Sequence, residues 1–137
     1  MRGILTVVLT LLTAVVLTGM GNLGGTPEGM VPKTEENIKA QLIDRSGMTT
    51  ELSRFSMDGE VFLEGRRGEG QMSVFFRDLK EVSFGSVSGD MVPVDMLLKS
   101  GSRLQLKVRK SVVFHGSTGT GAYRISAHDV SRIVFPK

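Results

Sequence analysis

Two histidines, one tyrosine, no tryptophan and no cysteine leave few side chains with chemical reach in 137 residues. The most reactive grouping is His115, His128 and Asp129 with Ser117 and Ser126 close by, the residue types that hydrolysis through an activated hydroxyl requires. Neighbours in a strand point to opposite faces, so His128 and Asp129 serve one centre only where a turn rotates them together. Neither serine sits in a strained strand-to-helix elbow motif. Gly116-Ser-Thr-Gly-Thr-Gly121 invites comparison with a phosphate loop, but no Gly-Lys-Ser/Thr ending follows, and the next residues alternate like a strand. Without cysteine there is no thiolate nucleophile, disulfide or thiolate metal site, and two histidines lack a third ligand. The reading is therefore a non-enzyme, with no catalytic residue, no metal and no cofactor. A small envelope hydrolase using His115 or His128 is the alternative.

Charge offers more than nucleophiles do. Residues 22–98 carry 8 basic and 13 acidic side chains, whereas residues 99–137 carry 8 basic and one acidic. If Leu104, Leu106 and Val108 face a core, Arg103, Gln105, Lys107 and Arg109 project together on the opposite face, with Lys99 and Lys110 at the ends. Arg66 and Arg67 form a second, smaller patch. Such a stripe can be a solvated face that guards an edge strand, a surface complementary to the acidic stretch, or a site for an anionic polymer or lipid headgroup. No aromatic residue interleaves the cations, which argues against nucleic acid.

The elements that position these residues come from an internal repeat. Residues 70–84 align without gaps on residues 121–135: Gly70 on Gly121, Val74 on Ile125, Asp78 on Asp129, Val82 on Ile133 and Phe84 on Phe135. The same offset places Gly65-Arg-Arg-Gly-Glu-Gly70 on Gly116–Gly121, so the shared glycines point to a hairpin loop with positive φ. It also sets Glu64 and Arg77 against His115 and His128, so the fold does not require the histidines. Asp78 and Asp129 recur as expected turn caps. Met72, Met91 and Met96 fall at strand-like positions and are expected as core filler. Phe75 and Phe76 are adjacent, so one must face away from its own unit, toward the other copy.

Within each unit, apolar residues alternate with period two, except around Asp78 and Asp129, where they fall three apart as in one turn of helix. Five short strands with a one-turn helix before the fifth resembles SH3-like small barrels, a likeness of fold that implies no activity. The expected architecture is all-β: two tandem SH3-like repeats, residues 38–85 and 86–137, packed together. One interleaved barrel or sandwich is the alternative, since units this small have marginal cores alone.

Upstream, Arg2 precedes an uncharged run from Ile4 to Leu17 that spans roughly 21 Å as a helix, short of the ~30 Å hydrocarbon core. Residues 1–21 read as a cleavable signal peptide, with a retained anchor as the alternative, and 22–37, rich in glycine and proline, as a flexible linker. The functional expectation is a periplasmic or secreted module of a bacterial envelope. It binds or assembles with an envelope protein or anionic polymer through Lys99, Arg103, Lys107, Arg109 and Lys110, with Arg66 and Arg67 in support. A self-associating structural subunit is a further alternative. No transmembrane span is expected after cleavage, and no nucleic acid partner.

Overall fold

Alternation of apolar and polar residues becomes ten strands: β1 (Ala40–Asp44), β2 (Thr49–Met57), β3 (Phe62–Arg67), β4 (Gly70–Phe75), β5 (Leu79–Phe84), β6 (Met91–Leu98), β7 (Arg103–Arg109), β8 (Val113–Ser117), β9 (Ala122–Ser126) and β10 (Val130–Val134). The computed structural model describes residues 30–136. The expected signal peptide and residues 22–29 of the expected linker lie outside that range. The rest of the linker packs on the sheet: Val31 is buried, the Arg54 N–H donates to Asn37 Oδ1 at 2.8 Å, and Arg77 pairs with Glu36 at 2.9 Å. The protein is all-β, with no α-helix among the described residues and a 3₁₀ turn before β5 (Phe76–Asp78) and before β10 (Ala127–Asp129).

All pairings are antiparallel, in one curled sheet of order β4-β3-β7-β6-β5-β10-β1-β2-β8-β9. This order reads the same from either end once β1–β5 are exchanged with β6–β10. The registers match too. At the centre Val82 faces Ile133; Ala40 faces Leu52 in β1–β2 as Val94 faces Leu106 in β6–β7; and Ser53 faces Ser117 in β2–β8 as Lys107 faces Arg66 in β7–β3.

In place of two self-contained sheets side by side, strands from the two stretches of chain interleave. β3 pairs with β7 and β8 with β2. About fifty residues cannot enclose enough apolar surface alone, and interleaving makes one core of both stretches. Phe55, Phe76, Phe114 and Phe135 meet at its centre, with ring centroids 5.1–5.8 Å apart. Phe76 is thus where residues from both stretches meet. Phe75 turns outward instead, edge-on to Phe62 and beneath the Arg77 guanidinium at 4.4 Å.

Interleaving also redistributes charge. The neighbouring strands β3–β7 and their turns, residues 58–109, hold 8 basic and 8 acidic residues, so the acid-rich and base-rich stretches of sequence do not become two oppositely charged halves.

Three local expectations need correction. Asp78 and Asp129 do not cap through their side chains; their main-chain carbonyls accept the Lys99 and Arg45 N–H groups at 2.9 Å. Met96 is core, but Met72 is exposed on edge strand β4 and Met91 is half-buried in a cleft. Of the shared loop glycines, Gly68 and Gly119 have positive φ, whereas Gly65 and Gly116 lie in strands where another backbone or side chain leaves no room for a Cβ.

Candidate functional site

On β7 the inward residues Leu106 and Val108 are buried, with Leu104 packed against the core, and Arg103, Gln105, Lys107 and Arg109 are exposed. On β3, Leu63 is inward while Glu64, Arg66 and Arg67 are exposed. Because β3 lies beside β7 with Arg66 opposite Lys107, the two basic patches become one. Gln71 of β4 and Pro93 of β6 extend that row on either side. Lys99 and Lys110 fall in turns outside this row: Lys99 borders a different cleft, near Phe76 and Phe135.

A groove follows the row. One recess, about 440 Å³, is lined by Arg66, Lys107 and Arg109, by Asp58 and Glu64, and by Met57, Met91 and Val112. A second recess of about 350 Å³ shares Arg66 and Lys107 and adds Arg67 and Gln105 without a carboxylate. A third continues to Arg103, with Asp95 alongside. Among the described residues no carboxylate forms an ion pair with any of these five cations; the carboxylate pairs lie elsewhere, at Arg77–Glu36, His128–Asp129 and Arg132–Glu81.

The recess exists because β3 and β7 part company. Arg66 and Lys107 are their one partnered pair. One step further the Glu64 N–H finds Met57 Sδ at 3.3 Å rather than a carbonyl, and the Arg109 carbonyl accepts the Val112 N–H at 3.2 Å in a turn. The counterpart joint, β2–β8, stays paired: Ser53↔Ser117, Ser56↔His115 and Met57↔Phe114, accommodated by an irregularity that puts Arg54 at φ 50°. One joint opposes two serines and stays paired where the other opposes two cations and is splayed. Sequence reasoning found the cations but missed Met57, Gln71 and Met91, which come from other strands and carry no local signal.

The histidines do not meet. His115, half-buried on β8, faces Ser56 and Arg124. Burial holds its pKa below the ordinary imidazole value, the Arg124 guanidinium lowers it further, and Asp58 acts in the opposite sense. The 3₁₀ turn does rotate His128 and Asp129 together, Nδ1 to Oδ1 at 3.0 Å, but both are exposed, and neither histidine lines the groove. Ser117 Oγ accepts the Gly119 N–H at 3.2 Å, and Thr118 Oγ1 accepts the Gly121 N–H at 3.0 Å, so the glycine loop is a tight β8–β9 hairpin. No cluster of three metal-binding side chains occurs among the described residues, and no helix of those residues is long and apolar enough to cross a membrane.

A family model described as "Uncharacterised protein" matches residues 34–137, a range holding every strand above. The chain belongs to this family. It is also 28% identical over 109 residues to an "Uncharacterized protein" of Aquifex aeolicus (strain VF5), covering 80% of this chain and 82% of that protein. No solved structure matches the chain.

Proposed function

We propose that the protein is an exported, non-catalytic β module that binds an anionic envelope component in the β3–β7 groove. One observation carries this reading. Arg66 and Lys107 are directly opposed with no described carboxylate partner, whereas the counterpart position in the same strand order holds Ser53 and Ser117. Like charges facing each other across strands destabilise a sheet. The serine pair meets the demands of the fold, so the cations serve something outside it, and an anion is what offsets their repulsion.

The scaffold reading belongs with this proposal. The chain is two copies of one SH3-like unit, each five-stranded run taking its first two strands from one copy and its last three from the other. The runs β10-β1-β2-β8-β9 and β5-β6-β7-β3-β4 both fit that recipe. Duplication supplies two equivalent joints, free to diverge into one that holds the sheet and one that binds.

Co-sedimentation of the chain with acidic polysaccharide and with anionic lipid vesicles, at low and high salt, tests the function. Salt-sensitive binding lost in an Arg66→Ser, Lys107→Ser variant is the expected result. Equal binding by the variant, or binding to neutral vesicles alone, rejects the groove.

A further inference from the structure

The geometry points to a seat for a single phosphate-ester group at the splayed end of the groove, built from the main-chain N–H of Glu64 together with the side chains of Arg66, Lys107 and Arg109. This rests on the reading above and adds the chemical class of the ligand and a main-chain donor. A thioether is a weak hydrogen-bond acceptor. Met57 Sδ therefore serves the Glu64 N–H poorly and yields readily to a phosphoryl oxygen, whose bond from an amide is charge-assisted and stronger.

The cations approach from two strands, with Arg66 on β3 and Lys107 and Arg109 on β7. Two guanidinium groups, an ammonium and an amide N–H offer many donors, which suit the three acceptor oxygens of a phosphate ester better than the two of a carboxylate. The recess, about 440 Å³, exceeds what one phosphate fills, and Met57, Met91, Val112 and Gln71 line the remainder. The group is thus the head of a larger molecule with an uncharged body. The carboxylates of Asp58 and Glu64 line the same recess and disfavour a second anionic group in it. The bound oxygen also supplies the acceptor that the β3–β7 ladder lacks beyond Arg66, so occupancy fastens β3 to β7.

Amide NMR of the full chain tests this, with inorganic phosphate, glycerol 3-phosphate and glucose 1-phosphate titrated against acetate and chloride at matched ionic strength. The Glu64 amide resonance should move saturably with phosphate and the esters but not with acetate, and its hydrogen exchange should slow about tenfold or more. The two esters separate a lipid-type headgroup from a sugar phosphate by which binds more tightly. Met57→Leu keeps similar volume, which cores tolerate, and removes the competing sulfur; it should tighten phosphate binding several-fold, while Lys107→Ser weakens it at least tenfold. A Glu64 amide that stays fixed at saturating phosphate, or a Met57→Leu chain with unaltered affinity, overturns the seat. If anionic polymer still binds through Lys107 in that case, the groove survives and only the seat is lost. If neither polymer nor phosphate binds, both readings fall.

Discussion

Arg66 and Lys107 sit about 5 Å apart at their β-carbons if they follow ordinary antiparallel geometry, and the cost of that opposition is measurable. Lys107→Ser places at this joint the residue that Ser53 supplies at the other. It should leave stability unchanged or raise it by about 0.5 kcal/mol, a rise of roughly 2–4 °C in Tm, while removing anion binding. A loss above about 1 kcal/mol in thermal unfolding would show that Lys107 holds the fold instead. His115 gives a second residue-level test. Its folded pKa lies below the ordinary 6.5, first through burial and then through Arg124, against Asp58. The unfolded chain therefore takes up the proton first, so this contribution is complete above pH 6.5 and is lost as pH falls below it. Denaturant midpoints should drop between pH 7 and pH 5, and His115→Gln should flatten the drop; an equal drop in the variant contradicts the assignment. Period-two patterning made Arg103, Lys107 and Arg109 legible as one face. It failed for Lys99 and Lys110, because residues beyond a strand end no longer alternate.

Among elements, the β3–β7 joint depends on Gly65. A Cβ there would stand 2.9 Å from the Lys107 carbonyl oxygen and 3.0 Å from Leu106 Cβ, and one on Gly116 would stand 2.9 Å from Leu52 Cβ. Gly65→Ala and Gly116→Ala should each destabilise by about 1–3 kcal/mol, as overpacking does. Gly65→Ala alone should also weaken anion binding, because it moves the strand that carries Arg66. Equal binding losses in both variants would mean that the site is not local to this joint. The hairpins were legible because a glycine-containing turn between alternating runs specifies its own partner. The β3–β7 and β2–β8 neighbours were not. Arg66 and Lys107 are distant in sequence, and no local pattern separates pairing with a near strand from pairing with a remote one. The splay was hidden for a related reason: it depends on the Arg109–Val112 turn and on Met57, which belongs to neither strand.

At the scale of the molecule, one apolar cluster draws on all ten strands or the turns between them, and Arg45 ties the stretches together by donating to the carbonyls of Phe84 and His128. Calorimetry should show a single transition whose van't Hoff and calorimetric enthalpies agree; two resolved transitions would mean that each stretch folds by itself. A chain divided between Ser86 and Val87, both exposed, gives fragments that each lack strand partners, so they should be unstructured alone and recover the β-sheet circular dichroism signal when mixed. The all-β class was readable from periodicity, while the interleaving of the two stretches was not, since it follows from how little core each can enclose. The central seam has one more consequence. Gln41 of β1 is partnered with Val134 of β10, so both ends of the sheet's chain emerge at the same spot. Joining them by a short peptide and opening the backbone at Ser86 would yield a circular permutant with the second stretch leading. The palindromic strand order assigns every strand in it the same neighbours.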